Sequence, residues 1–132
     1  MVRRSRRARA VAVTAAVLSL CSCGNVATGE VESVAADFAA AADDPAARCA
    51  LLAPTTLTSF EQDEAEPCED AVEQLPVGSG EVTTVEVWGE EAQVRLADDT
   101  LFLTHTADGW RISAAGCTPQ GAELPYDCEV EG

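Results

Sequence analysis

The side chains richest in chemistry are six cysteines and a single histidine, His105. Two of the cysteines, Cys21 and Cys23, stand at the end of an apolar run in "LSLCSCGN" (18–25), and Cys49, Cys68, Cys117 and Cys128 are spread through the remainder. No two have CxxC spacing, and one histidine cannot build a His-based metal site or a histidine pair. No metal, no cofactor and no catalytic residue is therefore assigned. Four cysteines in an oxidising compartment read instead as two disulfides. Other motifs fall short: "VGSGE" (77–81) has Val77 where a nucleophile elbow has its first glycine, and no GxGxxG occurs. The run "EQDEAE" (61–66) lacks the alternating acids and the glycine of an EF-hand loop, so a solvated loop is expected there.

His105 is the candidate general acid or base. In "LFLTHT" (101–106) it alternates with Leu101 and Leu103 on one strand face, where helix cover and a neighbouring carboxylate would tune it. Trp88, Trp110 and Tyr126 are the large aromatics with polar tips. Alternation groups Trp110 with Ile112 and Ala114, which makes it a core residue, and groups Trp88 with Thr84 and Glu86, which makes it a candidate ligand surface.

These residues must be positioned by elements, and the chain divides visibly. Residues 1–9 carry five arginines, and 10–20 form an uncharged run of eleven residues, the layout of an export signal. A membrane span needs about 20 apolar residues, so eleven are too few. That segment is therefore expected to be a signal peptide; Leu20, Cys21 and Ser22 before Cys23 resemble a lipoprotein lipobox, which implies that it spans 1–22 and leaves 23–30 as a tether and 31–132 as a folded domain. After removal of 1–22 the three arginines Arg48, Arg95 and Arg111 face all 23 acids, a formal charge of −20. Nucleic-acid binding requires Lys and Arg on phosphates, and this domain cannot supply them. Any charged partner it has is expected to be cationic, and the body is expected to stand off an anionic membrane surface.

Within the domain, Val31, Val34, Ala35, Phe38, Ala41 and Ala42 recur at helical spacing, and Asp43, Asp44 and Pro45 stop that helix and start a second, which runs into Pro54. "TTLTSF" (55–60) offers a short third piece. Pro67 opens a fourth, with Cys68, Val72 and Leu75 on one side. From 81 onward the pattern turns to short strands, 81–88, 92–97, 100–106 and 110–116, joined by tight turns at Gly89 and Glu90, at Asp98 and Asp99, and at Asp108 and Gly109. The expected fold is α+β: N-terminal helices packed on a four-stranded antiparallel meander. Cys49 and Cys68 both lie in the helical half, and Cys117 and Cys128 both follow the last strand, so local pairing, 49 to 68 and 117 to 128, is expected.

Leu20, Cys21 and Ser22 before Cys23 resemble the lipobox of bacterial lipoproteins. That resemblance implies that Cys23 becomes the first residue of the mature chain and carries a lipid anchor, while Cys21 is discarded. Arginines at 3, 4, 6 and 7 resemble a twin-arginine signal, but the hydrophobic pair that follows those arginines is missing, which favours Sec export. The chain has no lysine, one asparagine and one isoleucine, as a GC-rich genome produces. The strings "CALLAP" (49–54), "VWG" (87–89), "DTLFL" (99–103), "GWRISAAGC" (109–117) and "PYDCEVEG" (125–132) are similar to those of a set of small actinobacterial lipoproteins. The likeness implies an envelope location and disulfides, and no particular activity. Helices on a curved antiparallel sheet are also similar to the nuclear transport factor two-like (cystatin-like) cone, which often encloses a pocket. The resulting expectation is a lipoprotein on the extracytoplasmic face of the cell membrane, a non-catalytic domain that binds an envelope protein or small ligand near Trp88 and His105. The alternative is a small pocket enzyme in which His105 and a carboxylate act as general acid and base.

Overall fold

The structure, a computed structural model, describes residues 23–132. The signal segment 1–22 and the side chain of Cys23, on which the export and lipidation expectations rest, lie outside what is described. Among the described residues four helices come first: α1 (Cys23–Ala40), α2 (Pro45–Ala50), α3 (Pro54–Glu64) and α4 (Cys68–Val72). Five strands follow: β1 (Val82–Trp88), β2 (Glu91–Leu96), β3 (Thr100–Thr106), β4 (Gly109–Pro119) and β5 (Tyr126–Glu131). They form one antiparallel meander in the order β1-β2-β3-β4-β5. The fold is α+β as expected, with one correction: the sheet has five strands, not four. The tail pairs with β4, placing Val130 opposite Ala115 and Cys128 opposite Cys117. Its alternation of Cys128 and Val130 with Asp127, Glu129 and Glu131 is that of a half-buried strand, and Val130 is fully buried.

Helix α1 includes residues 23–30, so the stretch read as a tether is helical. The reason is visible in the periodicity, because Ala27 joins Val31, Ala35 and Phe38 on the face that packs against the sheet. Asp44 caps α2 by accepting the Ala47 N–H at 3.0 Å, and Pro45 and Pro54 occupy the first turns of α2 and α3. Helix α3 runs on to Glu64, so much of the acidic run expected as a loop is helical; Glu and Gln are good helix formers. Its exposed Glu61 accepts the first backbone N–H of α4, from Cys68, at 3.0 Å.

The core lies between the helices and one sheet face. Phe38, Phe60, Leu101, Leu103 and Ile112 are its largest fully buried side chains. Along β4, the ladder to β3 bulges between Phe102 and Leu103, and β5 reaches back only to Ala114. The free edge of Ile112 is taken by the α2–α3 connection: Ile112 donates its N–H to Leu51 at 2.9 Å and accepts from Ala53 at 2.8 Å. Both disulfides form as expected, Cys49 with Cys68 and Cys117 with Cys128. The first joins α2 to α4 and the second joins β4 to β5.

A polar knot ties the halves together. Arg48 of α2 is buried, donates from Nε to the Phe38 carbonyl (3.2 Å) and from Nη2 to the Gly78 carbonyl (2.8 Å), and lies 5.0 Å over the Phe38 ring. Burial pushes its guanidinium below the ordinary value, while Asp99 and then Asp43 push it back up. The Asp99 carboxylate accepts four backbone N–H groups, from Gly78, Thr100, Gly116 and Cys117.

Turn chemistry holds at one hairpin and differs at another. Gly89 has φ +66° and Glu90 does not have positive φ, which suits the expected type II′ turn. At the β3–β4 hairpin only Gly109 has positive φ, at +97°, whereas a type I′ turn needs it at two residues. The loop is instead Ala107 and Asp108 with Gly109 as the following left-handed residue.

Candidate functional site

Strand β3 carries Leu101, Leu103 and His105 on the face beneath the helices, as alternation requires. Leu101 and Leu103 are fully buried. His105, one alternation further along the same face, is exposed. Its backbone N–H donates to the Glu90 carbonyl at 2.8 Å, and its ring meets Trp110 edge-on with centroids 5.2 Å apart. Trp110 is buried, the core role expected for it.

Two adjoining depressions open around this pair. One, of about 390 Å³, is lined by Val26, Ala27 and Glu30 of α1, Gly89 and Glu90 of the β1–β2 turn, and His105 and Trp110. The other, of about 340 Å³, shares Glu30, His105 and Trp110 and adds Ser33, Val34, Gly109 and Arg111. Arg111 Nη1 donates to the Trp110 carbonyl at 2.9 Å. Glu30 of the helix and Glu90 of the turn line the first depression together with Val26, Ala27 and His105. Among the described residues no hydrogen bond joins the His105 imidazole to a carboxylate; Glu90 is bonded to His105 through the backbone.

Two larger hollows lie elsewhere. One of about 520 Å³ is lined by Ala36, Ala39 and Ala40 of α1, by Gly80 and Val82, and by Glu32 and Glu81. One of about 470 Å³ lies beside the Cys49–Cys68 disulfide and carries Glu61, Glu69 and Asp70. Leu101, Leu103, Val94 and Ile112 fill the space between helices and sheet, and the depressions all open to the surface. Among the described residues no three His, Cys, Asp or Glu side chains are gathered as metal ligands would be.

The structure does not unite the two residues expected to form a ligand surface. Trp88 is 52% exposed on the opposite sheet face and lines none of these depressions. Its neighbour across the ladder, Glu91, accepts the Thr104 hydroxyl at 2.8 Å. Further along that face Tyr126 packs edge-on against Phe102 and accepts a hydrogen bond from Gln93 at 3.1 Å. Glu30, Glu90 and Val26 were not singled out by the sequence. Extending the helical periodicity back from Val31 to Ala27 would have put α1 beside the sheet end; nothing local marks Glu90 as its neighbour.

Comparisons of the chain with protein-family profiles, with curated proteins and with solved structures return no match.

Proposed function

We propose that the chain is a lipid-anchored, non-catalytic binding domain on the extracytoplasmic face of the cell membrane, with the cleft between α1 and His105 as its ligand surface. The observation that carries this reading is that Cys23 stands on α1. The cysteine of the lipobox-like stretch is thus on the same helix that walls the cleft with Val26 and Ala27. An anchor there would hold the cleft near the bilayer, since a helix rises about 1.5 Å per residue, and the expected stand-off of the acidic body would have to come from charge repulsion and not from an extended tether. The modest affinity of a small open site then suffices, because anchoring raises local concentration.

The disulfides support the address, since both suit an oxidising compartment. No described helix is long and apolar enough to cross a membrane. A helical layer followed by an antiparallel sheet supports, at the level of architecture, the nuclear transport factor two-like reading. The envelope protein or small ligand remains cationic in this proposal, and nucleic acid remains excluded by charge.

The test is metabolic labelling with a fatty-acid probe. Label lost in Cys23→Ser and kept in Cys21→Ser supports the anchor, and the reverse overturns it. A second reading, the pocket enzyme, is favoured by one observation, that His105 shares its cleft with Glu30 and Glu90. His105→Asn that folds, keeps ligand binding and abolishes a cellular phenotype would select it.

A further inference from the structure

We propose that the cleft of Val26, Ala27, Glu30, Glu90, His105 and Trp110 takes a small organic cation carrying an apolar body, an alkyl or aryl ammonium. The inference deepens the binding reading of this cleft and is independent of the lipid anchor.

Three observations converge on that chemistry. The first is the floor. Val26 is 65% exposed, one of three large apolar side chains left in water among the described residues, and it lines one depression with Ala27 and the buried Trp110. An alkyl or aryl group laid there removes apolar surface that the fold itself leaves uncovered. The second is the rim. Glu30 and Glu90 come from different elements, so their approach is made by the tertiary fold and not by one acidic run. The third is the scarcity of cations in the described lining. Arg48 is engaged with Phe38 and Gly78, Arg95 is on the open sheet face, and Arg111, whose Nη1 donates to the Trp110 carbonyl, lines the adjoining depression together with Glu30 but not this one. The chain has no lysine. A cation in the first depression would find Glu30 and Glu90 in its lining beside Val26 and Ala27. The volume, about 390 Å³, lies at the small end of ligand clefts, which suits a compact amine and not a folded partner. His105 contributes its ring edge beside Trp110 as part of the wall.

The experiment uses residues 23–132, the whole described fold, with both disulfides formed and Cys23→Ser to remove the free thiol. Amide signals are followed by NMR while hexyltrimethylammonium, hexanol or hexanoate is added. Hexyltrimethylammonium should shift Ala27, Gly89, Glu90, His105 and the Trp110 indole N–H, and hexanoate should not. The Glu30→Gln, Glu90→Gln double variant should weaken the cation's binding at least tenfold while leaving the remaining spectrum unchanged. Equal shifts with hexanol would overturn the cationic preference and leave a merely apolar cleft. Shifts centred on Glu61, Glu69 and Asp70 instead would reduce the effect to nonspecific attraction by an acidic protein and sink the proposal. Silence of the cleft towards all three probes would remove the binding reading as well.

Discussion

The carboxylate of Asp99 lies 2.6 Å from the backbone nitrogen of Gly78, and this contact joins the β2–β3 turn to the segment that leaves the helical layer. The same side chain holds Thr100, Gly116 and Cys117, so it organises the start of β3 and the far part of β4 together. Hydrogen bonds to a charged acceptor are the stronger kind, about 1.5–3 kcal/mol each. Asp99→Ala, which leaves those N–H groups to find water, should lower stability by about 3 kcal/mol or more; Asp99→Asn, which keeps one acceptor oxygen, should cost less. Urea unfolding with the disulfides intact measures both.

Arg48 cannot be replaced by lysine without loss. Its two hydrogen bonds leave from different nitrogens towards Phe38 and Gly78, and a single ammonium lacks that fork. Arg48→Lys should destabilise by about 1–2 kcal/mol, one lost buried hydrogen bond and its desolvation. Because Asp99 and Arg48 grip opposite sides of Gly78, the pair of substitutions should be non-additive in a double-mutant cycle.

Gly78 itself has φ +58°, and a Cβ there would collide with the Phe38 ring. Phe38 is fully buried and cannot retreat. Gly78→Ala should therefore cost about 2 kcal/mol or more, combining backbone strain with overpacking. A thermal melt that leaves the midpoint unchanged would refute this account of the knot.

The disulfides close loops of 19 and 11 residues in sequence separation. Loop-closure entropy gives each about 3 kcal/mol. Cys49→Ser with Cys68→Ser should loosen α4, and Cys117→Ser with Cys128→Ser should loosen β5. Hydrogen exchange read at Ala71 and at Val130 distinguishes the two, each pair raising exchange chiefly at its own site.

The two tryptophans should separate optically. Trp88 is 52% exposed and Trp110 is buried at 4%. Trp88→Phe should leave a blue-shifted emission that acrylamide quenches poorly, and should change stability by no more than about 0.5 kcal/mol, as for most surface substitutions. Red, readily quenched emission from the remaining Trp110 would show that the His105 end of the sheet is open in solution.

What the sequence by itself determined is what neighbouring residues decide among themselves. Proline and aspartate at 44, 45, 54 and 67 punctuate the helices, alternation marks four strands, and cysteines close in sequence within each half pair locally. Alternation also assigned Trp110 to the core, since side-chain direction along a strand needs no knowledge of the partner strand. The fifth strand carried the same signal, but six residues of mixed acids and a cysteine become a strand only when β4 supplies the ladder and Val130 finds Ala115. His105 was read onto the helix-facing side, yet its exposure there depends on how closely α1 packs over the end of the sheet. The separation of Trp88 from His105 follows from the two strands' register, and the cleft exists because α1 and the β1–β2 turn approach the same sheet end. Glu30 and Glu90 are sixty residues apart along the chain, and no local preference brings them together. Only the packing of one helix face on a twisted sheet does so, because burying Ala27, Val31, Ala35 and Phe38 sets the helix axis and leaves Val26 and Glu30 at the rim.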